Sequence, residues 1–291
     1  MHRAGFVNII GNPNVGKSTL MNALMGEKLS IITSKAQTTR HRILGMLNGD
    51  DYQIVFSDTP GLLKPNYKLQ EGMMNFVHDA LSDADIFLMV IDAFDEDGPE
   101  PKIVDQIKKA EVPVIVVLNK SDIAEGEKQM KLVELWNKEI PKADIVPVSA
   151  LKGTNVDRVM ELIQKYLPEH PAYFDKDNST DRNERFFVSE IIREKLLKNY
   201  QKEIPYACEV VVEEFKDEVT IVKIRAVVIV ERESQKAILL GHKGVMIKKL
   251  GTDSRKSIEH FLETRVFLDL FIKVDKDWRN NEGKLKKFGY L

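Results

Sequence analysis

Eight consecutive residues, Gly11-Asn12-Pro13-Asn14-Val15-Gly16-Lys17-Ser18, have the types and spacing that cradle a chain of phosphates. The glycines let the backbone curl so that its N–H groups point inward. The N-terminus of a helix expected to follow adds positive potential, and both features suit a triphosphate. Lys17 is placed to reach the β- and γ-phosphates and the Ser18 hydroxyl to ligate magnesium. Asn14, Val15, Gly16 and Thr19 complete the nucleotide-contacting loop.

A second set specifies the base. In Asn119-Lys120-Ser121-Asp122, the Asp122 carboxylate can accept from both N1–H and the N2 amine of guanine. Asn119 is expected to read the opposite edge, and the Lys120 stem to lie over the ring. Adenine would leave that carboxylate unpaired, so discrimination of several orders of magnitude follows. Ser149-Ala150-Leu151 is expected to present a backbone N–H to guanine O6.

A third set bears on hydrolysis. Asp58-Thr59-Pro60-Gly61 places Asp58 to hold magnesium through water and Gly61 to offer its N–H to the γ-phosphate. In Gln37-Thr38-Thr39-Arg40 a threonine can ligate magnesium while the γ-phosphate is present and let go after hydrolysis. Thr39 is the choice and Thr38 the alternative. Many small GTPases place a water-orienting glutamine directly after the last glycine of D-x-x-G; here Leu62 stands there. No titratable base is apparent, so catalysis rests on positioning and electrostatics by Lys17, Thr39, Gly61 and Asn14. Asn14 with a hydrophobic residue at 62 is similar to GTPases that bridge phosphate oxygens with potassium; the plainer alternative is a loop-shaping residue tolerant of left-handed backbone.

These motifs must sit at the ends of regular elements. Strand-like runs at Phe6–Ile10, Tyr52–Ser57, Ile86–Ile91, Val114–Asn119 and Asp144–Val148 alternate with helical stretches at Lys17–Met25, Asn66–Leu81, Pro101–Lys109, Lys128–Glu139 and Asn155–Tyr166. That order predicts βαβ units, a mostly parallel sheet with helices on both faces, and ligands at the strands' carboxyl ends. The sequence divides into an α/β nucleotide-binding domain (1–170), a polar linker (171–184), a smaller α+β domain (185–275) and a tail (276–291).

The α+β domain predicts a helix (Phe186–Tyr200), two strands (Ala207–Phe215 and Val219–Val230) joined at Lys216-Asp217-Glu218, two helices (Ser234–Leu240 and Val245–Arg265) and a strand (Val266–Val274). Between the last two helices lies Gly241-His242-Lys243-Gly244. Its glycines let backbone approach phosphates while His242 and Lys243 project. Ile238 and Ile247 are expected to line a groove for about four nucleotides of single-stranded RNA, flanked by Lys248 and Lys249. Across 181–291, 23 basic against 19 acidic residues leave +4. Basic character is thus local to Lys236, Lys243, Lys248, Lys249, Arg255 and Lys256. This order and turn resemble a type II KH domain.

Composition sets the limits. With 43% apolar and 30% charged residues the chain is a globular protein, and a net charge of -2 excludes one that is basic throughout. The single cysteine, Cys208, forms no internal disulfide and reads as a small core residue. No signal peptide or membrane-length apolar run is found, so a cytoplasmic location is expected.

Gly11–Ser18, the stretch Lys35–Arg42 (K-A-Q-T-T-R-H-R), Asp58–Leu62 and the G-H-K-G turn, in this domain order, resemble the Era family of GTPases over essentially the whole chain. The resemblance implies a P-loop GTPase domain followed by a type II KH domain, with magnesium bound alongside GTP or GDP. It implies binding of the 3′ end of small-subunit (16S) rRNA, a role in 30S ribosomal subunit assembly, and GTP favouring the RNA-competent state. Some members associate weakly with the inner membrane, though no anchor is found here; a monomer is expected. A metabolic or signalling GTPase whose C-terminal domain binds protein or membrane is the competing reading. An RNA-binding module with incidental GTP turnover is a third.

Overall fold

Runs of Val, Ile, Leu and Phe with no polar alternation, such as Val114-Ile115-Val116-Val117-Leu118, suit strands covered on both faces. The computed structural model describes residues 1–94, 98–124 and 126–291, which divide into two compact units.

The first unit comprises residues 1–66 and 73–181. Its six strands are β1 (Arg3–Ile10), β2 (Ile43–Asn48), β3 (Tyr52–Asp58), β4 (Ile86–Asp92), β5 (Val114–Asn119) and β6 (Asp144–Pro147), in the order β2-β3-β1-β4-β5-β6. All neighbours are parallel except β2, which pairs antiparallel with β3. The helices of this part of the chain are α1 (Lys17–Met25), α2 (Lys68–Ser82), α3 (Pro101–Lys109), α4 (Gly126–Glu139) and α5 (Val156–Tyr166). The core on one face gathers Ile10, Val77, Phe87, Met89, Ile107 and Val116.

β2 lies outside the five predicted strands. Ile43-Leu44-Gly45-Met46-Leu47-Asn48 has no period-2 pattern, and its strand character comes from pairing Ile43 through Asn48 with Asp58 through Gln53. Residues after α5 return along this sheet: Ser179 O accepts from Met46 N at 2.8 Å, and Gln53 Nε2 donates to Phe174 O at 2.9 Å.

The second unit comprises residues 67–72 and 182–291. Helix α6 (Glu184–Asn199) is capped by Asn183, whose Oδ1 accepts from Phe186 N at 3.0 Å. Then come β7 (Glu209–Glu218), β8 (Ile221–Val230), α7 (Glu233–Leu240), α8 (Val245–Leu262), β9 (Val266–Val274) and a short α9 (Glu282–Lys287). β8 is central, antiparallel to β7 and parallel to β9. Alternate β8 residues Val222, Ile224, Ala226, Val228 and Val230 face the buried core shared with Ile192, Leu239, Leu250 and Ile258 of the helices.

The hairpin falls later than expected. Lys216, Asp217 and Glu218 pair with Lys223, Val222 and Ile221, leaving Val219 and Thr220 as the turn. Polar residues on a solvent-facing strand end carry no burial pattern by which a sequence would reveal them. Cys208 is buried and its thiol donates to Ile204 O at 3.0 Å, a core residue as expected. The tail is packed: Trp278, Leu285 and Tyr290 are buried. Trp278 Nε1 donates to Ala207 O at 3.1 Å and Tyr290 Oη to a Glu209 carboxylate oxygen at 2.8 Å. Among the described residues no helix is long and apolar enough to cross a membrane.

Candidate nucleotide and nucleic-acid sites

β1 delivers the phosphate loop at its carboxyl end, between β3 and β4, where parallel α/β sheets open a crevice. Gly16 has φ +99, and a Cβ there would sit 2.1 Å from Asn119 Nδ2, so only glycine fits. Asn14 adopts φ +64 in the same loop and lines the cleft. Lys17 Nζ curls back onto the carbonyls of Gly11 (2.9 Å) and Asn12 (2.8 Å). Burial pushes this ammonium down to about 8, with the Asp58 carboxylate pulling the other way.

Three predicted residues converge beside it. Ser18 Oγ donates to Asp58 Oδ2 at 2.7 Å and lies 2.8 Å from Thr39 Oγ1, which is 3.3 Å from the same carboxylate oxygen. Thr38 is directed elsewhere: its hydroxyl donates to Lys35 O at 2.6 Å and meets Thr33 Oγ1 at 2.7 Å. Asp58 Oδ1 is buried with no hydrogen-bond partner among the described residues. Burial holds the Asp58 carboxyl above the usual carboxylate range, opposed by the Ser18 hydrogen bond and by Lys17. An orphaned carboxylate oxygen beside two hydroxyls is a donor set that fits a hard divalent cation with its water shell.

Gly61 packs against Pro13 of the phosphate loop, where a Cβ would come within 2.7 Å of Pro13 Cα. Leu62 turns into the hydrophobic core with Ile10, Val77 and Phe87, so its side chain has no part in the cleft. Thr19 lines the cleft.

The base-reading side is tied to the phosphate loop by Asn119. Asn119 Nδ2 donates to Val15 O at 2.8 Å and its Oδ1 accepts from Ala150 N at 3.0 Å. Asn119 is thereby a strut joining three loops, and its amide keeps a second N–H and a second lone pair for a base edge. Ser149 is buried, its Oγ accepting from Lys152 N at 3.2 Å, while Leu151 is exposed. Lys120, at φ +64, pairs with Asp92 at the end of β4. Asp92 belongs to no sequence motif; its signal is that it ends a strand next to β5, opposite Asn119. Asp122 is exposed and accessible to a base.

In the second unit, Gly241-His242-Lys243-Gly244 forms the turn between α7 and α8, with φ +69 at Gly241, +50 at Lys243 and +76 at Gly244. His242 and Lys243 are exposed. The groove beside the turn lies between α8 and β9, lined by Ile247, Lys248, Gly251, Thr252, Arg255 and by Leu268 and Leu270. Ile247 and Lys248 fall where predicted. Leu239 and Gln235 occupy the buried face of α7, and Ile238, about 100° round the helix from Leu239, is 50% exposed on the helix that leads into the turn. Lys249 is exposed one position off the groove-facing row. Gly251 and Arg255 extend the i, i+4 series from Ile247 and were accessible to periodicity; Leu268 and Leu270 join only through the tertiary fold.

Comparison with known proteins agrees with this geometry. A family model described as a 50S ribosome-binding GTPase matches residues 6–120, and a KH domain model matches residues 203–279. GTPase Era of Clostridium perfringens (strain 13) is 46% identical over 100% of this chain and 99% of its own. That of Syntrophus aciditrophicus is 43% identical over 100% and 96%. A crystal structure of Era with MgGDPNP and nucleotides 1506–1542 of 16S ribosomal RNA superposes with a TM-score of 0.94 at 39% identity, covering 100% of this chain and 99% of that one. An Aquifex aeolicus Era variant bound to GDP and aluminium fluoride gives 0.92 at 38%, covering 99% of each. With a P-loop α/β unit, a KH unit and 46% identity along its full length to such a relative, this chain belongs to the Era family of GTPases and hydrolyses GTP to GDP and phosphate.

Proposed function

We propose that this GTPase binds the single-stranded 3′ end of 16S rRNA in the α8–β9 groove and acts in 30S subunit assembly, its RNA affinity set by the bound nucleotide. The observation that carries this reading is the groove itself: an apolar floor (Ile247, Leu268, Leu270) beside an exposed G-H-K-G turn, the arrangement that admits splayed bases and their backbone. The relative solved with nucleotides 1506–1542 of 16S rRNA supports the choice of RNA.

In the nucleotide cleft, the loop N–H groups and Lys17 hold the phosphates, and Ser18, Thr39 and Asp58 hold magnesium. When bound, that ion neutralises charge across the β- and γ-phosphate oxygens. Water attacks the γ-phosphorus, the bond to the β–γ bridging oxygen breaks, and GDP leaves. Gly61, which lines the cleft, would offer its N–H to the γ-phosphate. Leu62 is buried and offers no side chain to orient water, so intrinsic turnover is slow; a potassium ion at Asn14, which lines the cleft, would stand in for an arginine finger on the phosphate oxygens. The protein works as a monomer in the cytoplasm, with at most weak peripheral contact to the inner membrane.

The test is binding of fluorescent single-stranded RNA carrying the 16S 3′ terminus, with GDP or GDPNP, across salt concentrations. Tighter and sequence-selective binding with GDPNP is expected. Sequence-independent binding that disappears with salt would refute the reading. Equal turnover in potassium and sodium buffers would remove potassium.

A further inference from the structure

Arg42 immediately precedes β2, whose first residue, Ile43, pairs with Asp58. Its guanidinium reaches three other elements. Nη1 donates to Asp83 Oδ2 at 2.7 Å and Nη2 to Asp83 Oδ1 at 2.9 Å, a bidentate pair with the residue that follows α2. Nε donates to Ser57 Oγ at 2.7 Å, on the residue adjoining Asp58 in β3. Nη2 also approaches Asn8 Oδ1 of β1 at 3.4 Å. Asn8 is fully buried, and its Nδ2 donates to Ala80 O at 2.6 Å and Asp83 Oδ1 at 2.7 Å, so the acceptor carboxylate is itself fixed.

Thr39 lies three residues before Arg42, within a reach of about 11 Å of extended chain. Its hydroxyl must stay on Ser18 and Asp58 to complete the donor set. The segment carrying Thr39 is thus pinned at its far end by a fork-shaped donor that simultaneously grips the strand carrying Asp58. Lysine could not make this arrangement, having one nitrogen where the fork uses three.

The geometry points to Arg42, with Asp83 as its anchor, as a positioning residue for magnesium-dependent GTP binding and hydrolysis: it holds Thr39 and Asp58 in register. It is not among the residues that line the nucleotide cleft. This rests on the reading that Ser18, Thr39 and Asp58 hold the magnesium. Partners that orient metal ligands from behind typically change metal affinity or activity by about 10- to 100-fold when removed.

The experiment compares Arg42→Ala, Arg42→Lys and Asp83→Asn with Thr39→Ala and the unaltered full-length protein. Release of fluorescent mant-GDPNP is followed over a magnesium titration, with mant-GDP affinity in EDTA, steady-state kcat and KM, and thermal melting alongside. For Arg42→Ala, Arg42→Lys and Asp83→Asn, the magnesium concentration that halves mant-GDPNP release should rise about tenfold and kcat fall about tenfold. At saturating magnesium the KM for GTP, and in EDTA the mant-GDP affinity, should stay within about twofold. Normal magnesium dependence in the Arg42 variants, with Thr39→Ala shifted, overturns the clamp alone. Normal magnesium dependence in Thr39→Ala overturns the metal assignment and the clamp with it. Equal loss of mant-GDP affinity in EDTA would make Arg42 merely structural. Should Arg42→Ala fail to fold, Asp83→Asn decides, since the Asp83 side chain is 44% exposed and tolerates the change.

Discussion

Asn119 donates from Nδ2 to the carbonyl of Val15 at 2.8 Å across 104 residues of sequence, locking the base-reading strand end to the phosphate loop. Its Oδ1 takes the Ala150 N–H, so one buried amide joins three loops. Asn119→Ala leaves Val15 O and Ala150 N unpaired and should cost about 1–3 kcal/mol in stability. GTP and GDP affinities should fall by the same factor, about tenfold or more, since the contacts lie away from the γ-phosphate. Fluorescent nucleotide titrations and thermal melts check this; a loss confined to GTP would contradict it.

Asp122 is exposed beside this strut and is the group proposed to discriminate guanine. Asp122→Asn exchanges an acceptor pair for a donor and an acceptor. Preference should move from GTP towards XTP by about a hundredfold or more. Competition of the two nucleotides against mant-GDP measures the shift, and unchanged GTP affinity would remove Asp122 from the base site.

Lys17 sits at about 8 in the nucleotide-free protein because of burial. A bound triphosphate raises that value, so binding takes up a proton between the two. GTP affinity should be level below about pH 7 and fall above pH 8 by up to about tenfold per pH unit. The folded-state value lies below the unfolded one, so the nucleotide-free protein gains stability as pH rises from 8 towards the ordinary lysine value of 10.5. Calorimetric titrations between pH 6.5 and 9.5 (about three units around the transition) test both signs; affinity unchanged at the alkaline end would mean Lys17 keeps an ordinary pKa.

Gly251 faces the α8–β9 groove, and a Cβ built there meets nothing within 4 Å. Gly251→Leu should fill the groove while improving helix propensity by about 0.5–1 kcal/mol. RNA affinity should drop about tenfold or more, with melting temperature unchanged or raised. RNA binding that survives with the leucine in place would move the RNA to another surface.

Trp278 is fully buried, hydrogen-bonded to Ala207 O and edge-on to Phe288 at 5.9 Å. Trp278→Ala should destabilise the second unit by about 3–5 kcal/mol, and Trp278→Phe by less. Urea denaturation followed by circular dichroism distinguishes this from a solvated tail, for which neither change would register.

The sequence alone was enough for whatever depends on contiguous residues. A phosphate loop works through successive N–H groups, so Gly11–Ser18 announces itself; buried parallel strands show as apolar runs, and the G-H-K-G turn as two glycines set three apart. Thr39 could be favoured over Thr38, but only the packing of its hydroxyl on Ser18 and Asp58 distinguishes them. Tertiary structure decided the rest, because the relevant partners are far apart in the chain. β2 is a strand only because β3 accepts its backbone, Asn119 a strut only because Val15 and Ala150 converge on it, and Ile238 exposed only because Leu239 takes the buried face. The pairing of Arg42 with Asp83, across 41 residues, has no local signature at all. Hydrogen bonds and packing between distant segments cost chain entropy that only the whole fold repays, so no window of sequence shows them.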